Sequence, residues 1–211
     1  MNKGIKESVE MKPEEACKEG EAANDEGAGI YENRKNASKS EAVKNDLELK
    51  KKTITTAHVT LAKGKSLLMR AISCYSSMTA STRKFFVLGQ KPKKRPEGIF
   101  LCQSSYGYDA DNDYHKTCNG GHTEARILAN LALSNQLAGA KIVFNINWND
   151  ESKLPCQHCF DMICKTASDE ECDAKIFICT EDNEPVDMNK ECKKSNSDYD
   201  KFKRNYTRDY G

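Results

Sequence analysis

His122-Thr123-Glu124 and Pro155-Cys156-Gln157-His158-Cys159 spell H-x-E followed, about 30 residues on, by P-C-x-x-C. An imidazole from His122 and thiolates from Cys156 and Cys159 make a three-ligand zinc site. Three protein ligands leave the fourth tetrahedral position open for water, which separates a catalytic site from a closed structural one. Zinc lowers the pKa of such a water toward ~7. Glu124 sits two residues from the His and need not bind the metal. It can take a proton and hand it on, as general base and then general acid.

The flanking residues put both motifs at helix starts. Glu124 to Leu133 is a strong helix former, with Ile127, Leu128 and Leu131 at helical spacing. Gly120-Gly121 breaks any strand before it. Pro155 suits a first helical turn, so Cys156 to Cys164 reads as a second helix with Cys156 and Cys159 on one face. The positive end of a helix favours thiolate over thiol. A lone C-x-x-C also fits a redox pair, half of a structural zinc site, or two buried thiols. Paired with H-x-E in this order, it becomes specific. His158 is a rival ligand, read here as a pocket-lining or surface residue. Cys118 is read as a small buried residue, because a fourth protein ligand would displace the water.

H-x-E…P-C-x-x-C is the signature of the zinc deaminases of nucleobases, and over roughly residues 97–180 the chain resembles the cytidine deaminase-like superfamily. The resemblance implies a three-layer α/β/α deaminase-like sandwich around one mixed sheet, with two helix starts pointing at one Zn2+. It implies hydrolytic deamination of cytosine or adenine, with His122, Cys156 and Cys159 on the zinc and Glu124 relaying protons. It also implies a base held by backbone groups around the ligand Cys, Pro155 among them, and by a strand-end Asn. Asn145, Asn147 and Asn149 compete for that role. The substrate classes it leaves open are a free nucleoside or nucleotide, single-stranded DNA or RNA, and structured RNA; cytosine in nucleic acid is the leading one. The polar tail before the core is similar to that of toxin-type bacterial deaminases or other lineage-specific members, which would add an inhibitory partner protein.

Around the motifs, Gly98 to Tyr106 reads as a strand and Asp109 to Asp113 as a solvated turn. Lys141 to Asn149 reads as a strand that alternates apolar residues with Asn from Phe144. Trp148, the chain's sole Trp, is read first as core packing and otherwise as a stacking platform for a base. Ala174 to Thr180 reads as a nearly continuous apolar strand, as in a sheet covered on both faces. Tyr199, Phe202, Tyr206 and Tyr210 suggest a docked terminal helix, or else an aromatic-basic strip touching nucleic acid.

Charge divides the 211 residues into three parts. Residues 1–49 carry net −4, 50–96 net +12 without a single acid, and 97–211 net −7, so a formal charge of +1 hides a basic arm on an acidic core. The first part has hardly any large apolar residues for its length and is expected to be disordered or loosely helical. In the second, Thr53 to Met78 is expected to form a helix with Val59, Leu67, Leu68, Ala71 and Ile72 facing the core. Lys91-Pro92-Lys93-Lys94-Arg95-Pro96 follows as a linker. Lys91, Lys93, Lys94 and Arg95 are candidate phosphate contacts, since such asymmetry suggests a polyanion partner; a solvated linker is the bland alternative. The third part is the expected deaminase-like core with a polar C-terminal segment.

Hydrophobic content of 37% against 31% charged is too polar for the whole chain to pack into one core. No apolar run approaches the ~20 residues of a membrane span. No signal-peptide core is evident, so cytoplasmic action or export outside the Sec route is expected. Of the ten cysteines, Cys102 and Cys179 are expected as buried thiols in strands. Cys164 and Cys172 flank a short loop and can pair under oxidising conditions. Two readings of other classes compete: a zinc-stabilised binding module without turnover, against which Glu124 argues, and a disulfide-braced secreted protein, against which the irregular Cys spacing argues.

Overall fold

Five of the seven residues of Ile54–Thr60 are β-branched, and such side chains lose χ1 freedom in a helix while fitting a pleated surface. The expected helix over 53–78 is therefore a β-hairpin as far as it is described. Ile54–Thr60 (β2) pairs antiparallel with Ser66–Ile72 (β3). Gly64, at φ 81°, makes the reversal that a residue with a Cβ would resist. The computed structural model describes residues 4–37, 39, 53–73, 85–87, 99–102, 104–106, 122–148, 153–194 and 198–207.

Residues 4–37 of the first segment form a strand and a helix. Ile5–Ser8 (β1) pairs with β3 at the sheet edge, and Pro13–Asn36 (α1) is a 24-residue helix. What the composition conceals is that α1 packs through small residues: Ala16, Cys17, Gly20, Ala23, Asn24 and Gly27 are buried along it, with Tyr31 as the one large anchor. A Cβ on Gly20 would stand 2.6 Å from the Cβ of Asn145. Close approach of backbone to sheet substitutes here for bulky side chains.

The remaining elements are Ile99–Leu101 (β4), Ser104–Tyr106 (β5), Thr123–Leu133 (α2), Lys141–Asn147 (β6), Gln157–Ser168 (α3), Lys175–Cys179 (β7), Pro185–Asp187 (β8), Met188–Lys194 (α4) and Tyr199–Tyr206 (α5). The expected strand over 98–106 is instead a small hairpin, β4 against β5. Cys102 lies between them at φ 57°.

Among the described residues the main sheet runs β1-β3-β2-β6-β7-β8. It is mixed: β6 and β7 are parallel, and the other neighbours are antiparallel. All three charge segments contribute strands to it, so they are not separate structural units. Alternation along the strands sorts the layers. Ile54, Thr56, Arg70, Val143, Asn145 and Cys179 face α1, whereas Ala57, Val59, Met69, Ile142, Phe144, Ile176 and Ile178 join the large core beneath α2 and α3. The result is a three-layer α/β/α sandwich with helices on both faces of one sheet.

Among the described residues, three disulfides brace the fold. Cys17 on α1 bonds Cys179 on β7, Cys102 bonds Cys172, and Cys164 on α3 bonds Cys192 on α4. Cys102 and Cys179 are thus not thiols, and Cys164 does not pair with Cys172. The Cα separations of 5.2 to 5.5 Å are those a disulfide requires, and tertiary packing, not loop proximity, brings the partners together. The terminal helix docks as expected: Phe202 is buried, its ring centroid 4.7 Å from that of Phe160 on α3. No described helix is long and apolar enough to cross a membrane.

Candidate metal centre

Two helix starts meet at one point. His122 is the N-cap of α2 and Cys156 the N-cap of α3, each in extended backbone conformation. His122 makes no cap bond to its own helix, Cys156 is hydrogen-bonded to Cys159 within α3, and the two caps turn toward each other. His122 Nδ1 lies 3.1 Å from Cys156 Sγ. Cys159, one turn into α3, completes the group, and one ligand atom from each of the three lies within 4.8 Å of the others. Among the described residues this is the sole cluster of His, Cys, Asp or Glu so arranged. His122 and Cys156 are half-buried and Cys159 is buried.

The electrostatics suit metal binding. The hydrogen bond from Cys159 pulls the Cys156 thiol down to about 4 against the cost of burial, with His122 assisting. Burial pushes Cys159 well above its ordinary value, and sharing a proton with Cys156 adds to this. The two sulfurs therefore hold one proton between them, and a cation would displace it. Burial pulls His122 down, but its bond to Cys156 and the neighbouring negative charges outweigh that, and the net shift is upward. Among the described residues the donor set is two sulfurs and one imidazole, which suits a borderline-soft metal ion.

Glu124 stands beside this group, 1% exposed. Burial raises its pKa, the nearby Cys156 charge adds to the rise, and His122 and a hydrogen bond from Thr123 oppose it. Thr123 Oγ1 donates to Oε2 at 2.8 Å. Oε1 has no hydrogen-bond partner among the described residues. One carboxylate oxygen is anchored by Thr123, the other is buried, and the carboxyl faces Cys159. Arg126, a half-turn on, is also buried and donates to the Ile72 carbonyl at 3.1 Å, tying α2 to the sheet.

The other expected site residues divide. Pro155 is buried and its carbonyl accepts from the Tyr199 hydroxyl at 3.0 Å; this bond lets α5 brace the turn that leads into Cys156. Trp148 follows β6, half-buried and packed against the main core. Asn145 is turned to the opposite face of the sheet. It donates to the Cys17 carbonyl at 2.9 Å, and its Oδ1 accepts from Asn24 at 2.7 Å. Asn147, two residues on in the same strand, shares that face. Neither therefore reaches the metal group from its strand position. His158 is exposed. Asn149, Lys91, Lys93, Lys94, Arg95, Cys118 and the Asp109–Asp113 turn lie outside the described residues.

Sequence reasoning misses Tyr199 and Thr55 as site residues. Tyr199 sits near enough that burial and then the charge of Cys156 push its hydroxyl up to about 12. Thr55 lies on β2 with its hydroxyl 2.6 Å from that of Thr123, and no local pattern connects the two.

An α/β sandwich carrying a His/Cys/Cys group able to hold a metal ion is the class that fold and site define. Compared with family models, curated proteins and solved structures, the chain matches none.

Proposed function

We propose that the protein is a zinc-dependent hydrolase that deaminates a nucleobase, with cytosine in nucleic acid as the first substrate to test. The observation that carries the reading is the juxtaposition of His122, Cys156 and Cys159 with a buried carboxylate that is not itself one of the group. When bound, zinc supplies a Lewis acid that makes water nucleophilic near neutral pH. The chain's residues supply the rest. His122, Cys156 and Cys159 hold the ion. Glu124 accepts a proton at Oε1 and returns it to the departing nitrogen, a role suited to a carboxyl whose pKa is raised toward the working pH. The enclosing core limits access of bulk water to that carboxyl. The ordered sequence of motifs and two helix starts aimed at one point are what the cytidine deaminase-like resemblance implies, and the reading rests on that agreement.

The test is direct. Purified protein, loaded with zinc, is incubated with cytidine, dCMP, adenosine, single-stranded DNA and single-stranded RNA, and the products are weighed by mass spectrometry. A one-unit mass gain on a cytosine-containing substrate supports the proposal. A gain on adenosine alone moves it to adenine, and none on any substrate removes it.

A second reading has its own observation. Cys156 is half-exposed at a helix start with its pKa near 4, and Cys159 is buried one turn behind, as in thiol–disulfide oxidoreductases. Reduction of insulin disulfides by the metal-free protein, abolished by Cys156→Ser, would favour it.

A further inference from the structure

Behind Glu124 runs a chain of two threonine hydroxyls that the reaction as described does not use. Thr123 Oγ1 donates to Glu124 Oε2 at 2.8 Å. Thr123 Oγ1 also lies 2.6 Å from Thr55 Oγ1. Each hydroxyl has a single proton to give. Thr123 gives its proton to the carboxylate, so the short contact behind it is donated by Thr55. Both threonines are fully buried at 0% exposure, and Glu124 at 1% is nearly so. In such surroundings successive hydrogen bonds polarise one another, and an unmade one is costly.

The two threonines come from different layers. Thr123 opens α2, whereas Thr55 lies on β2, between Ala71 of β3 and Ile146 of β6. Thr55 therefore references the carboxylate to the middle of the sheet, not to the helix that carries it. Rotation of the Glu124 carboxyl would break the bond at Oε2 and leave two buried hydroxyls mismatched. Held by Oε2, the carboxyl presents Oε1, which has no partner among the described residues. This is how a single carboxylate can be kept in one orientation while one of its oxygens stays ready for a proton.

We propose that Thr55 is a positioning residue, acting through Thr123 to fix the Glu124 carboxylate with Oε1 turned out. The inference rests on the reading of Glu124 as the acid–base group. It is specific to the hydroxyl. Thr55→Val keeps the shape and removes the donor, and Thr55→Ser keeps the donor and removes a methyl.

The experiment uses the full chain, with zinc content and melting temperature measured for every variant. The Glu124 carboxyl band is found by isotope-edited infrared spectroscopy as the feature lost in Glu124→Gln. Thr55→Val should displace that band and Thr55→Ser should leave it in place; Thr123→Val, breaking the next bond, should displace it as well. If deamination is present, Thr55→Val should lower kcat roughly fivefold, the size of one hydrogen bond between neutral groups, with KM little changed. Thr55→Ser should restore kcat. An unmoved band in Thr55→Val, or a Thr55→Ser protein as impaired as Thr55→Val, would overturn the proposal. Should Thr55→Val not fold, Thr123→Val and Thr55→Ser decide the matter on the same criteria. A displaced band in a protein without turnover removes the functional reading and leaves the positioning role standing. Turnover with no displacement does the reverse.

Discussion

The Nδ1 of His122 and the Sγ of Cys156 stand 3.1 Å apart although 34 residues separate them in the chain. Each caps its own helix, and a cap side chain normally bonds the free N–H groups behind it. Here His122 forgoes that bond, and the two side chains turn toward each other. Two helix N-termini brought together would repel through their dipoles. Thiolate charge at the junction relieves this, and burial of Cys159 behind it restricts which cation can satisfy the group.

The protein should bind one zinc ion per chain. Elemental analysis of purified material is expected to find it, with His122→Ala, Cys156→Ala and Cys159→Ala each losing it. Chelation should lower the melting temperature, because assembling the ligands is coupled to folding. Zinc stoichiometry unchanged in both Cys variants would mean that the ion, if present, sits elsewhere.

Glu124→Gln should separate chemistry from structure. The amide keeps the size of the carboxyl and can still accept from Thr123, so zinc content and fold should be retained. Deamination should fall by on the order of 10²- to 10⁴-fold, the contribution of a positioned acid–base group. Substrate binding should change far less, since the lost interaction acts mainly in the transition state. Full zinc with undiminished turnover would remove Glu124 from the mechanism.

The legibility of this chain follows the range of the interactions. The helix starts at His122 and Cys156 are readable because Gly120-Gly121 and Pro155 are local signals, as are the apolar strands β6 and β7. The hairpin of β2 and β3 escapes a pattern reading because Val59, Leu67, Leu68, Ala71 and Ile72 also fit a helical stripe; the β-branched run at Ile54–Thr60 is the better guide. Order in α1 is hidden because small residues do the packing where hydrophobic mass is the usual sign, beside a disulfide whose partner is 162 residues away. Asn145 suggests substrate binding by its place near a strand end. The face it presents depends on register with β2 and on the position of α1, neither of which is local. Thr55 gives no signal for the same reason.

Stability in acid should depend on Glu26. Its carboxylate lies 2.6 Å from the guanidinium of Arg70, whose side chain is 4% exposed while that of Glu26 is 51% exposed. The hydrogen bond from Arg70 holds the Glu26 pKa below the usual range against the smaller cost of burial. The folded protein thus binds this proton less readily than the unfolded chain does. The contribution is complete above the unfolded value, ~4.3, and is lost as pH falls through the lower folded value. Solvent screening at Glu26 limits it to about 1 kcal/mol or less. Urea unfolding at neutral pH and near pH 3 should show a smaller pH dependence in Glu26→Gln than in wild type. Equal dependence in the two proteins would assign the acid sensitivity to other groups.

Asn145 provides the sharpest test of which face of the sheet matters to which property. Its amide donates to the Cys17 carbonyl, accepts from Asn24, and so links β6 to α1; Asn24 in turn accepts from Thr56 at 2.7 Å. All of these side chains are buried. Asn145→Ala would remove the bonds to the Asn24 amide and to the Cys17 carbonyl, leaving Asn24 only the backbone carbonyl of residue 145, and each lost bond costs about 1 kcal/mol. It would also open space beneath Gly20, whose missing Cβ is what lets α1 approach so closely. Asn145→Ala is therefore expected to lose a few kcal/mol of stability in denaturant unfolding. At temperatures where the variant remains folded, its zinc content and KM should match wild type, because the sheet separates Asn145 from His122, Cys156 and Cys159. A raised KM with normal stability would instead place the base-binding Asn here, on the α1 face, and would require the substrate to approach from a side that α1 now covers.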